Sequence, residues 1–301
     1  MNPVPVAAGC RSIRSMTSSA NDTHLPPPAE WKAGVPVAAI LVIALCAGLA
    51  VLGAFRGLPE FAAADPDGTL LFIGATTPVY LAVAFTVFAQ RFAPRRAASV
   101  TTGTIDELDE PVTVLPQSRA GWASALALAV ALLLVGAFLA SGPILALVFG
   151  QSGATDGLVQ GALGLALLAG SLVFLGEVLR KRIRPGYVAL SPYGVHCRMW
   201  NYVGLAAWDL FVPSAAEQHG PMIVLAVPDG DSSAVWRTSP WWRPAELRLQ
   251  PHVVLRALNL AVDPVLLYHA IRFYEESPEL RAELGTRAAA ERLVSQDLAR
   301  R

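Results

Sequence analysis

Four long apolar runs constrain this chain more than any other feature: residues 34–55, 69–90, 121–149 and 157–179. Each holds enough uncharged residues to cross a hydrocarbon core, which takes about 20 residues at a helical rise of about 1.5 Å. The sequence therefore predicts an α+β membrane protein. Residues 1–33 form a disordered leader and residues 34–184 four transmembrane helices in two hairpins. A water-facing β domain covers 185–276 and a helical tail 277–301. A mean hydropathy of +0.47 with only 15% charged residues fits a chain that is partly membrane.

Arginine carries nearly all the positive charge, Lys32 and Lys181 being the only lysines. That usage reads as a high-GC coding bias. Arg11, Arg14 and Lys32 precede the first run, Arg91, Arg95, Arg96 and Arg119 lie between the second and third, and Arg180, Lys181, Arg182 and Arg184 follow the fourth. The opposite side holds Arg56 with Glu60, Asp65, Asp67 and Asp156. Basic residues in short flanking loops resist translocation, so all three clusters are expected on the cytoplasmic side of a bacterial inner membrane, together with both termini. Trp31 and Trp122, at the cytoplasmic starts of runs one and three, are expected as interfacial indoles. The loop 97–118 between runs two and three reads as a solvated linker.

The leader is rich in Pro, Ser and Ala and contains Pro26-Pro27-Pro28, a composition that buries little. Residues before Cys10 lack the basic start and apolar stretch of a signal peptide. Three cysteines, Cys10, Cys46 and Cys197, are too scattered for a disulfide framework or a metal knuckle.

No run carries an ionisable residue near its centre, where pumps and ion-coupled transporters place one. Glu177, close to Arg180 and Lys181, reads as an interfacial ion-pair partner. Run two has the most polar middle. Thr76, Thr77 and Tyr80 beside the helix-kinking Pro78 could line a pathway or simply pack. Gly157, Gly161 and Gly164, with Ala162, Ala166 and Gly170 beside them, form small-residue faces that suit close helix packing within one chain or between two copies.

Beyond Pro185 the texture changes to strands and turns. Tyr187–Leu190 is β-prone, Ser191-Pro192-Tyr193-Gly194 reads as a turn, and Val195, Cys197 and Met199 alternate with His196, Arg198 and Trp200. Further strands are expected over Trp208, Leu210 and Val212, over residues 222–227, over 234–237 after an Asp229-Gly230 hairpin turn, and around 247–249. Asp263-Pro264 and Ser277-Pro278 each open a helix, and Gly285 closes the second.

The run Tyr187-Val-Ala-Leu-Ser-Pro-Tyr-Gly194-Val-His-Cys-Arg, followed by Ala207-Trp208-Asp209-Leu210, resembles the opening of bacterial PH-like domains, which are often fused to membrane helices. The resemblance covers residues 185–275. It implies a small curved antiparallel β-sandwich of seven strands with a capping helix, used for binding and assembly. About five of those strands can be pointed to in the sequence. The resemblance implies no catalytic residues and no cofactor.

His196 and Cys197 are adjacent, but neighbours on a strand face opposite ways and cannot form a dyad. Cys197 is expected in the core and His196 at the surface. Asp229 and Asp231 lack the further ligands of a calcium loop, and His219, His252 and His269 have no metal-ligand spacing. Trp241 and Trp242, beside Arg243, are expected to contact a protein partner or the membrane interface. Arg180, Lys181, Arg182 and Arg184 set topology and are expected to hold anionic lipid as well. The sequence thus predicts a non-enzymatic scaffold or accessory subunit. Its expected partners are anionic membrane lipid and other proteins, a second copy of the chain being a further candidate, and nucleic acid is not among them. The alternative is a transporter or channel component with its pathway along run two.

Overall fold

The computed structural model describes residues 25–31, 37–57, 59, 68–92, 95, 97–105, 108–148, 158–217, 220–227, 233–242 and 244–298. Several sequence expectations fall outside these, among them residues 1–24, both loops facing away from the basic clusters, His219, the Asp229-Gly230 turn and Arg243.

Among the described residues four helices are long and apolar enough to cross a membrane: α1 (Val37–Leu52, extended by one wide turn, Gly53–Gly57), α2 (Gly68–Arg91), α3 (Arg119–Val148) and α4 (Leu158–Leu179). Leucine and alanine dominate them, residues that lose little on entering a helix. Each packs on the next in sequence, α1 on α2, α2 on α3 and α3 on α4. Small residues permit the close approaches. Gly53 faces Thr77 of α2, whose hydroxyl stands where a glycine Cβ would be, and Gly136 of α3 faces Gly164 of α4. Within the chain, then, Gly161 and Gly164 lie buried, while Ala162, Ala166 and Gly170 remain exposed.

The remainder is antiparallel sheet with helices. A six-stranded sheet runs β1-β2-β3-β4-β5-β8 and a three-stranded sheet β6-β7-β9. The strands are β1 (Thr101–Ile105), β2 (Leu108–Pro116), β3 (Tyr187–Ser191), β4 (Gly194–Arg198), β5 (Tyr202–Ala207), β6 (Val212–Glu217), β7 (Pro221–Ala226), β8 (Ser233–Arg237) and β9 (Val253–Arg256). Both sheets contribute to one buried cluster. Val188, Leu190, Val195 and Cys197 come from the larger sheet, and Ile223, Leu225, Val253 and Leu255 from the smaller. Leu266, Leu267, Ile271 and Tyr274 of α5 (Pro264–Glu276) complete it, with Leu293 of α6 (Arg287–Ser295). Each such side chain contributes about 1.5–3 kcal/mol by leaving water. Asp263 caps α5 by accepting a hydrogen bond from the Val265 amide at 2.7 Å, with Pro264 in the first turn as the sequence predicts.

The structure corrects several expectations. The 97–118 loop is no solvated linker: β1 and β2 form a hairpin, and β2 pairs with β3 from Thr113↔Leu190 to Pro116↔Tyr187. The sheet is therefore built from chain on both sides of α3 and α4. Among the described residues seven strands fall within 185–276, two more than the sequence marks. Trp208–Leu210 is a 3-10 turn and the strand begins at Val212, because Trp208 turns inward to donate its indole N–H to the Ser191 carbonyl at 2.8 Å. Ala245–Leu249 is also a 3-10 turn, and the strand follows at Val253. The expected hairpin across residues 229–230 does not join partners: β7 pairs with β6 and β9, and β8 pairs with β5.

Part of the leader is also placed. Trp31 is not an interfacial indole at the start of α1. It packs on the C-terminal domain and donates to the Ala216 carbonyl at 3.0 Å.

Candidate membrane-surface site

Two tryptophan contacts fix the sheets on one end of the helix bundle. Trp122, in the first turn of α3, meets Trp200 of the β4–β5 turn edge-on at 5.6 Å. Phe174, five residues before the end of α4, meets Trp242 edge-on at 5.9 Å and 86°. Edge-to-face geometry of this kind adds about 0.5–1.5 kcal/mol beyond the area covered.

The segment after β8 is shaped by local hydrogen bonds. The Thr238 amide donates to the Asn201 carbonyl at 2.9 Å, and the Trp241 amide to the Ser239 hydroxyl at 3.3 Å. This tight path presents two adjacent indoles differently. Trp242 is 40% exposed and leans on α4, whereas Trp241 is 70% exposed. Trp236 on the edge strand β8 is exposed as well.

The basic cluster occupies the same end of α4. The helix closes in a Schellman motif: the Arg182 amide donates to the Glu177 carbonyl at 3.0 Å and the Lys181 amide to the Val178 carbonyl at 2.9 Å. Lys181 takes the left-handed conformation, φ 59°, that this motif requires. The turn throws Arg180, Lys181 and Arg182 outward while Ile183 is buried behind them. Glu177 is buried, and its Oε1 accepts from Arg182 at 3.3 Å and lies 3.8 Å from Arg180. Lys181, expected in that ion pair, is not among its partners. Arg184 is half-buried at the start of the chain's path into β3.

Residues singled out on α2 are engaged with their own helix. Thr76 donates to the Phe72 carbonyl at 2.9 Å and lies 3.2 Å from the Tyr80 hydroxyl, and Thr77 donates to the Ile73 carbonyl at 3.1 Å. Both threonines are buried, Thr77 against Gly53 of the wide turn after α1.

His196 is buried, not at the surface, and stacks on Tyr187 at 6.4 Å and 19°. Cys197 is fully buried on the other face, and burial pushes its thiol up to about 12.

A cleft of about 400 Å³ went unread in the sequence. It opens beside the end of α2, and its lining includes Gln90, Trp200, Asn201, Met222, Glu246 and Arg256. Glu246 and Arg256 form an ion pair within it. Its residues come from five separate stretches of chain, so no local spacing marks it.

In comparisons with known proteins, no family model matches the chain, and no curated protein or solved structure matches it either.

Proposed function

We propose that this chain is a non-enzymatic interaction platform of a bacterial cytoplasmic membrane. Four helices span the bilayer, both termini are cytoplasmic, and a PH-like domain is held against the inner membrane face to recruit protein partners beside anionic lipid. The observation that carries this reading is the Trp242–Phe174 contact. It ties the segment bearing the exposed Trp241 to the helix that ends in Arg180, Lys181 and Arg182, so indoles and basic groups share one end of the bundle. That pairing suits a headgroup region, where amphipathic rings settle and each basic residue adds about 1 kcal/mol. The helix-capped antiparallel sheets are in keeping with the PH-like reading.

His196 and Cys197 face opposite sides of β4 and form no nucleophile pair, the thiol held protonated by burial. The exposed series Ala162, Ala166 and Gly170 suits a second copy of the chain. The hydroxyls of Thr76 and Thr77 bond their own backbone, which favours packing over a transport pathway.

The test is reconstitution in nanodiscs with and without anionic lipid carrying a headgroup-level quencher. Tryptophan quenching that rises with anionic lipid, and falls in W241A and in an R180Q/K181Q/R182Q/R184Q variant, is the expected result. Quenching indifferent to lipid charge and to both variants would remove these residues from the proposal.

A further inference from the structure

Residues 25–31 lie across the C-terminal domain far from the Trp241 face in sequence and are held in a particular way. Leu25 and Trp31 pack on the shared core. The Trp31 indole donates to the Ala216 carbonyl of β6 at 3.0 Å and meets Tyr268 of α5 at 5.9 Å. His269 Nε2 donates to the Pro26 carbonyl at 2.8 Å, the donor role following because a carbonyl only accepts. The Trp31 amide closes a turn onto the Pro28 carbonyl at 3.1 Å.

Side-chain anchors hold this segment, with no strand ladder. The three-stranded sheet ends at β6, and Pro26, Pro27 and Pro28 have no N–H with which to extend it. Two aromatic or apolar anchors flanking a stiff proline run, plus one carbonyl taken by a side-chain donor, is the way a docked peptide is bound. Proline also fixes φ near −65°, so little conformational freedom is lost on docking.

From these contacts we propose that the groove between β6 and α5 is a peptide-recognition site for a proline-rich segment ending in tryptophan, with this chain's own residues 25–31 as its tethered occupant. The inference stands apart from the platform proposal, since it concerns a different surface. Only residues 32–36 separate Trp31 from the start of α1 at Val37. So short a tether gives the leader a local concentration in the mM range, against which any segment arriving from elsewhere must compete. The groove would accept a partner's segment only where the leader is displaced or weakened.

The experiment titrates a fluorescein-labelled peptide of residues 23–33 into the full chain in nanodiscs, wild type and W31A, with L25D as a second weakened leader. The expected result is saturable binding to both variants, at least tenfold weaker binding to the wild type, and none by a peptide carrying W31A. Equal binding to wild type and variants, or no binding to either variant, would overturn the proposal. If both variants lose their cooperative thermal transition, the leader is a structural element and not an exchangeable ligand, which also overturns it.

Discussion

Gly136 of α3 and Gly164 of α4 meet so closely that a Cβ on Gly164 would stand 2.8 Å from the Gly136 carbonyl oxygen and 2.5 Å from the Ala140 amide nitrogen. Backbone lies against backbone here, so nothing flexible can yield. Gly164→Val should destabilise the α3–α4 pair by about 1–3 kcal/mol. Gly170, six residues on, has open space where a Cβ would stand, so Gly170→Ala should keep or raise the midpoint in the isolated chain. Thermal melts in detergent compare the two; equal midpoints would contradict the packing.

Lys181 holds a backbone conformation that suits glycine, at a cost of about 1–2 kcal/mol for an L side chain. Lys181→Gly should therefore raise the melting midpoint while lowering affinity for anionic vesicles. Opposite signs in the two measurements would separate the helix stop from the charge it carries. A fall in both would mean that the lysine stabilises the turn by a route other than its conformation.

Cys197 should resist alkylation. Full burial raises its thiol to about 12, so the thiolate is scarce and unreachable at neutral pH. Mass spectrometry after maleimide treatment should find Cys197 unmodified in the folded chain and modified in denaturant. Rapid native labelling would show that β4 opens readily.

Acid should loosen the C-terminal helices through Glu283. Burial works to raise its carboxyl, but the hydrogen bonds from Arg292 and Tyr274 outweigh this and bring it below the ordinary value. Arg292 grips both oxygens, at 2.6 and 3.1 Å, and the Tyr274 hydroxyl donates at 2.8 Å. A depressed carboxyl contributes its full stabilisation above the unfolded value, about 4.3, and loses it as pH falls through the folded value. Thermal midpoints of wild type and Glu283→Gln should therefore differ at pH 6 and converge as pH falls through the depressed folded value. A gap constant with pH would assign the effect to something other than ionisation.

The helices were legible because an apolar run of membrane length has few alternatives, and the Asp263-Pro264 start because capping is local. The β1–β2 hairpin was not. Every residue of β1 from Thr101 to Thr104 is exposed, so it shows no alternation, and Pro111 and Pro116 disguise the buried Val112 and Leu115 of β2. His196 was misjudged because period-two reasoning assumes one face is wet. The leader's docking depends on Tyr268, His269 and Ala216, which lie more than 180 residues away in sequence. The candidate site was half legible: Trp241, Trp242 and the arginine cluster were visible as compositions, but their meeting depends on Phe174, an ordinary member of an apolar helix.

The insertion of α3 and α4 between β2 and β3 governs how the protein can be made. A ribosome delivers the β1–β2 hairpin first, then two long apolar helices, and only afterwards the strand on which β2 pairs. The hairpin waits with an open edge until the second pair of helices has turned back. Completion of the sheet thus waits on the placing of α3 and α4. It also means that no contiguous fragment beginning after α4 contains the whole sheet, so truncations at Arg184 remove a domain's larger share but leave its first two strands with the apolar helices.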